Sequence, residues 1–548
     1  MRTLDWWVLG LSIILIVAYG AWKGRRSRTT NEYLLAGKTM PWYAMALSIM
    51  ATQASAITFI STTGQAYADG MRFVQFYFGL PLAMILISMT AVPIFHRANV
   101  YTAYEYLEQR FDAKTRALVS VIFLIQRGLA VGVALYAPAI VLTVIFGWPD
   151  QWTTIIMGVI VVAYTAYGGI KAVTWTDFQQ MLVMFVGLVA ALFMAIHLLP
   201  SNVTFGDAIR LAGAAGRLNA VVTSFDWNDR YNLWNGLLGG MFLALAYFGC
   251  DQSQVQRYLT GRSIAQSRLS LLFNAVAKIP MQFTILLVGA IVFVFFIFEK
   301  PPIVFHQQEL IKIERRSDYP RLAKRYDAAF EERRTAAREF IDNGNPLPFR
   351  QAQDEMERVR KEAAAGVNDT NYIFLSFVTR YLPAGMVGLI MAAIFAAAMS
   401  TISAEVNSLA TVSVIDIYKR FVAPGASDSH TLRASRLATV FWGIYAVITA
   451  SFGRNLGSLI EAVNMLGSLF YGSLLGVFLL AFFFRRVHGT AAFVAVLIGQ
   501  ATVFWLFKFT GISFLWYNVV GSLVVIAAGL AISTAAPGQR ATDHRESA

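Results

Sequence analysis

Ala51-Thr52-Gln53-Ala54-Ser55-Ala56-Ile57-Thr58-Phe59-Ile60-Ser61-Thr62-Thr63-Gly64 lies within an apolar stretch that begins at Pro41. The stretch is long enough to cross a bilayer. Its middle carries hydroxyls and small side chains where a lipid-facing helix would carry Leu, Ile and Val. A second stretch, beginning near Asn232, weakens in the same way at Tyr247-Phe248-Gly249-Cys250-Asp251-Gln252-Ser253-Gln254. Five spans lie from the first up to the second, and five more run from the second to Arg485. Corresponding weak segments in two halves point to an inverted repeat whose interrupted helices build a site near the bilayer midplane. Close helix packing through small residues is the alternative reading of the same composition.

The rest of the chain agrees with a membrane setting. Of 548 residues, 57% are hydrophobic and 14% charged, against about 25% charged in a soluble domain. Thirteen spans are expected: 5–24, 41–66, 73–97, 116–146, 150–168, 176–199, 232–257, 268–298, 384–417, 430–452, 457–484, 489–509 and 513–533. The first reads as a retained span, since no small-residue cleavage site follows it. With the N-terminus outside, 21 Lys and Arg fall on the inner side and eight on the outer, leaving the insert aside. That asymmetry fixes the orientation in a cell membrane, with the C-terminus cytoplasmic. The net charge of +13 is spread through these short loops and is no nucleic-acid surface.

The expected organisation is a flanking helix and loop (1–40), a first repeat (41–199), an outer loop (200–231), a second repeat (232–485), flanking helices (486–533) and a cytoplasmic tail (534–548). Within the second repeat, 299–370 breaks the composition, with 28 of 72 residues charged. It reads as a solvated extracellular helical hairpin turning at Asn343-Gly344-Asn345-Pro346.

Chemistry is concentrated in few places. Ala396-Ala397-Ala398-Met399-Ser400-Thr401-Ile402-Ser403 supplies adjacent hydroxyls at Ser400 and Thr401 and, one turn earlier, the carbonyl of Ala397. With carbonyls of Ala51 and Ala54 exposed by the first break, five neutral oxygens can replace the water shell of sodium. Hydroxyls bonding back to their own helix are the competing reading. Arg127 and Lys278 are the Lys and Arg residues left inside spans, where a cation is usually paired or lines an aqueous cavity. No nucleophile triad, P-loop or metal-ligand cluster appears, so neither catalysis nor ATP coupling is expected.

Taken together, the Ala54–Ser61 stretch, Tyr104–Phe111, Tyr167–Asp177, Asp251–Leu259 and Ala398–Ser403 resemble the sodium/solute symporter family. The group includes the sodium/glucose, sodium/proline, sodium/sialic acid and sodium/monocarboxylate carriers. The likeness covers about residues 5–485. It implies an all-α, leucine-transporter-like core of five-plus-five inverted helices that works by alternating access. It also implies a sodium site at Ala51, Ala54, Ala397, Ser400 and Thr401. Asp177 matches an acidic residue that in some members belongs to a second sodium site, which Thr401 and Ser403 would join here. Position 404, a hydroxyl in those members, is Ala in this chain. A helix N-cap is the alternative role for Asp177.

For the solute, the resemblance places Tyr247 as an inner-gate tyrosine with Phe248 beside it, and Lys278 in the substrate region. Thr58, Tyr77 and Ala244 depart from the sugar-binding pattern, which disfavours a hexose. Arg127 is similar to the arginine that holds the substrate carboxylate in the sialic acid members, with Ser55, Thr58, Ser61 and Gln75 as neutral partners. Pairing with an acidic neighbour is its alternative role. The expectation is a monomeric symporter of sodium and an organic carboxylate such as a sialic acid. A hexose carrier, a uniporter or channel, and a membrane sensor of symporter fold are the rivals.

Overall fold

Helix after helix coincides with these spans in a computed structural model that describes residues 1–24, 29–146, 150–451 and 457–535. The first half contains α1 (Thr3–Gly24), α2 (Trp42–Gln53), α3 (Ala56–Asp69), α4 (Ala113–Phe146) and α5 (Asp150–His197). The second begins with α6 (Gly240–Gly249), α7 (Gln252–Leu259) and α8 (Ile264–Phe298), followed by α9 (Tyr319–Asn343) and α10 (Pro346–Ala363). It continues with α11 (Met386–Val412), α12 (Asp428–Ala450), α13 (Leu459–Phe483), α14 (Gly489–Phe509) and α15 (Leu515–Ala535). Among the described residues, nine helices are long and apolar enough to cross a membrane, or ten if the bent α2–α3 pair is one span. Thirteen is not recovered by that test, because interruptions leave pieces such as Asn235–Gly249 and Trp152–Ala163 too short on their own. Arg25, Arg26, Arg28, Arg454, Arg540 and Arg545 of the charge count, and residues 536–548 of the tail, lie outside the described residues.

Both expected breaks are present. α2 and α3 meet at 56°, and the chain between them turns at Ala54 (ψ 72°) and extended Ser55. α6 ends at Gly249, and Asp251 restarts the helix as an N-cap, accepting from the Ser253 amide at 2.9 Å. The carboxylate there satisfies one of the orphan amides that any helix start exposes.

α5 joins two expected spans across Gly169, whose φ of 58° and ψ of −160° lie outside the helical region. A Cβ at Gly169 would sit 2.5 Å from the Tyr33 carbonyl, so this close approach needs glycine. Asp177 therefore lies within a helix and caps nothing, which corrects the N-cap alternative.

The insert is a hairpin as expected, with Gly344 at φ 75° closing α9. It has a small core of its own, including Leu322, Tyr326, Phe330, Met356 and Val359. It is also docked on the bundle: the Arg333 guanidinium donates to the Phe296 carbonyl at 2.6 Å. The central element is α11, which is buried on nearly every side and packs along α5, α4 and α1. An apolar helix buried all round belongs at the middle of a bundle, and this one carries the hydroxyl pair past the first break.

Candidate functional site

Ser400 bridges the two helices. Its hydroxyl lies 3.0 Å from the Ala51 carbonyl and 3.0 Å from that of Ala397. Next to it, the Thr401 hydroxyl donates to the Thr52 carbonyl at 3.1 Å. All these residues are buried. Ala51, Ala397, Ser400 and Thr401 are thus gathered at the break, with no charged group among them. Ala54 is buried at the turn itself, its amide bonded to the Met50 carbonyl at 2.8 Å. The back-bonding alternative is met only halfway: Ser400 reaches its own helix and the broken one equally.

One turn further along α11 is a cavity of about 90 Å³, several times the 10–15 Å³ or so that one water needs. Ser55, Thr58, Tyr77, Arg127 and Tyr247, all candidate substrate residues, line it together with Thr401 of the candidate sodium site. So do Gln53, Gln126, Glu405 and Tyr471. Arg127 does not face the cavity alone. Its Nη1 donates to Glu405 at 2.7 Å, and its Nη2 pairs with Asp251 and with the Tyr471 hydroxyl at 2.5 Å. Tyr471 in turn donates to Asp251 at 2.9 Å. Its two terminal nitrogens are therefore taken by internal carboxylates, which corrects the picture of an arginine held open for a bidentate substrate. The Arg127 Nε is left without a hydrogen-bond partner.

Other expected site residues fall elsewhere. Ser61 belongs to a latch between α3 and α13: its hydroxyl is 3.2 Å from that of Ser458 and accepts the Ile460 amide at 3.2 Å. Gln75 fastens the 200–231 loop, donating to the Tyr231 carbonyl at 2.8 Å and accepting the Val222 amide at 2.9 Å. Phe248 is buried behind Tyr247, with ring centroids 4.8 Å apart. Lys278 is buried beyond the cavity wall, its ammonium 5.5 Å from the Tyr77 ring centre. At the suggested second sodium site, Asp177 accepts from Ser48 at 2.6 Å and faces Arg257 at 3.8 Å, while Ser403 donates to the Ser400 carbonyl at 3.1 Å. Arg257 already supplies the countercharge a second ion would bring.

Asp251, Glu405, Tyr471, Gln53 and Gln126 escaped the reading of the sequence. The available signal was that an acid inside a span is as costly as a base, and Glu405 lies one helical turn past Thr401, on the same face.

Two interrupted helices, a neutral oxygen cage at one break and a polar cavity beside it define a cation-coupled carrier. The sodium:solute symporter family model matches residues 33–319 and 352–499, and the chain belongs to that family. A sodium/sialic acid symporter of Aliivibrio fischeri is 27% identical over 534 residues, covering 96% of this chain and 92% of that protein. A sodium/glucose cotransporter of Vibrio parahaemolyticus is 26% identical, covering 96% and 89%. The solved structure of a Na+-coupled sialic acid symporter, in its substrate-bound outward-open state, superposes with a TM-score of 0.78 at 24% identity, covering 98% of each chain. The fold is the leucine-transporter-like inverted repeat. The chain is a multi-pass membrane protein and a sodium-coupled symporter of a small organic solute, not an enzyme.

Proposed function

We propose that this symporter imports, with one sodium ion, a small organic acid rich in hydroxyl or amino donors, the chemistry that a sialic acid represents. The observation that carries this is the set of unpartnered polar atoms around the cavity. Gln53 Oε1, Gln126 Oε1 and Glu405 Oε2 are buried acceptors without a hydrogen bond, against the single donor Arg127 Nε. A buried polar group left unpaired costs about 1–3 kcal/mol, so a solute that satisfies several of them is selected strongly. Three acceptors call for donors. The one charged donor calls for an acceptor, and a carboxylate makes the stronger bond there.

Sodium occupies the Ala51, Ala54, Ala397, Ser400 and Thr401 oxygens and couples to the solute through charge. Arg127, Asp251 and Glu405 carry a formal sum of −1, which opposes an anionic solute. An ion one turn away, beside Thr401, brings the sum to zero in a low-dielectric setting where such a term is large. Sodium therefore favours the solute-competent state, as linkage requires. Tyr247, bonded by Gln254 at 2.7 Å, is the inner gate. The Ser61–Ser458 contact is the outer one, on the side that receives few basic loop residues. The N-terminus and the 299–370 insert are outside, the tail is cytoplasmic, and one chain performs the cycle without ATP.

The test is accumulation in proteoliposomes under an imposed inward sodium gradient. N-acetylneuraminate or a small hydroxy or amino acid is expected to concentrate, and its methyl ester is not. Uphill uptake of glucose with none of the acids would overturn the proposal.

A further inference from the structure

A second cavity, partly open to the surface, lies at the latched end of the bundle, between the insert and the ends of α3 and α8. It is a cavity of about 320 Å³ lined by Tyr67, Arg217, Phe293, Tyr326, Arg333 and Arg360, among others. Four basic residues line it (Arg217, Arg333, Arg360 and Lys361) against three acidic ones (Asp69, Glu357 and Asp369). Two of the acids are taken: Glu357 pairs with Arg217, and Asp369 with Arg360 at 2.7 Å.

Arg333 is different. It is 2% exposed, and no carboxylate among the described residues lies within ion-pair distance of it. Its Nη1 donates to Gln353 at 3.2 Å and its Nη2 to the Phe296 carbonyl, while Nε has no partner. Arg217 Nε on the same cavity wall is also buried and unpartnered. Burial, with a smaller push from Arg217, draws the Arg333 guanidinium below its ordinary pKa. A buried charge of this kind is normally paired.

We propose that the insert closes a second binding site, for a small organic carboxylate, whose oxygens take the free Nε donors of Arg333 and Arg217. Guanidinium groups bind planar oxyanions well. The walls choose among oxyanions: Phe293, Met356 and Ile373 favour an apolar body behind the charged end over hydrated phosphate. Arg333, the central donor, comes from α9, and residues 320–351 are the internal gap between the two stretches that the family model matches. Tyr326 and Arg333 are the lining residues that come from this gap, and the rest of the wall, Arg217 included, lies in the matched segments. It adjoins a further cavity through Ala68, Asp69, Arg217 and Glu357, and that cavity reaches Glu461 beside the Ser61–Ser458 latch. An anion captured here is held next to the closed entrance.

Val367 lines the cavity and is partly exposed, whereas the native Cys250 is buried. In the full chain carrying Val367→Cys, benzoate should slow labelling by N-ethylmaleimide, and the neutral isostere benzamide should not. Arg333→Gln should weaken the benzoate effect by about tenfold in apparent affinity, the value of a lost charged hydrogen bond. Ser400→Ala with Thr401→Ala should leave it intact, which separates this site from the sodium-coupled one. Equal protection by benzamide overturns the proposal without recourse to any arginine variant, as does full protection by benzoate in a monodisperse Arg333→Gln protein.

Discussion

α11 carries two buried polar clusters one turn apart, and they are built on opposite principles. At Ser400 and Thr401 every contributor is neutral, and each hydroxyl is bonded to a carbonyl at 3.0–3.1 Å. In the proposed cycle, exchanging those bonds for sodium is a trade among similar interactions, which suits an ion that binds and leaves each time. At Glu405 the contributors are an arginine, two carboxylates and a phenol, contributed by α4, α11, the α6–α7 break and α13. None of these charges can be left alone in the bundle. The first cluster is therefore reversible. The second is a fixed tie across four elements that also presents its leftover atoms to the solute.

If that contrast holds, removing the one cation should do the most damage. Arg127→Leu strands Asp251 and Glu405 together, and breaking a buried pair this way costs about 3–5 kcal/mol. The expected result is a large fall in the thermal midpoint of the purified protein, with solute binding lost alongside. A midpoint equal to the parent's would show that the charges are not tied as described. Ser400→Ala with Thr401→Ala should behave oppositely. Neutral hydrogen bonds contribute only about 1 kcal/mol each, so the fold should persist while the sodium stimulation of uptake disappears. Sodium-driven uptake that survives in the double variant removes the cage from the mechanism.

The same contrast explains what the sequence made legible. The breaks announce themselves through composition: hydroxyls in place of Leu at 51–64, and the loss of apolar character at 247–254. The neutral cage is visible because Ser400 and Thr401 are adjacent and the broken helix faces them. The charged cluster is assembled from positions 127, 251, 405 and 471, and no local pattern links residues so far apart. Arg127 alone looked like a hand held out to a substrate, and only its neighbours show that it is already engaged. Gln75 and Lys278 failed for a related reason. Polarity at membrane depth marks a residue as special without saying which way its side chain points. Gln75 serves a loop, and Lys278 sits behind Tyr77. The amphipathic hairpin was legible as a hairpin, but its docking through Arg333 depends on a carbonyl of α8 that carries no sequence signal.

The smallest change tests whether the fixed cluster also reads the solute. Glu405→Gln keeps Oε1 as an acceptor for Arg127 and leaves Asp251 as that arginine's counterion, so folding should be nearly unaffected. It replaces the unpartnered Oε2 with an NH2 group, turning an acceptor into a donor where the proposed solute brings a donor of its own. The loss of one charged hydrogen bond predicts a KM for the solute raised about tenfold, with half-saturation by sodium hardly moved. Two other outcomes are informative. A sodium shift as large as the solute shift would mean that Glu405 belongs to the ion site, collapsing the two clusters into one. Tighter binding of a simple carboxylate in the variant would mean that Glu405 acts chiefly as a charge opposing the solute, and that its Oε2 receives no donor.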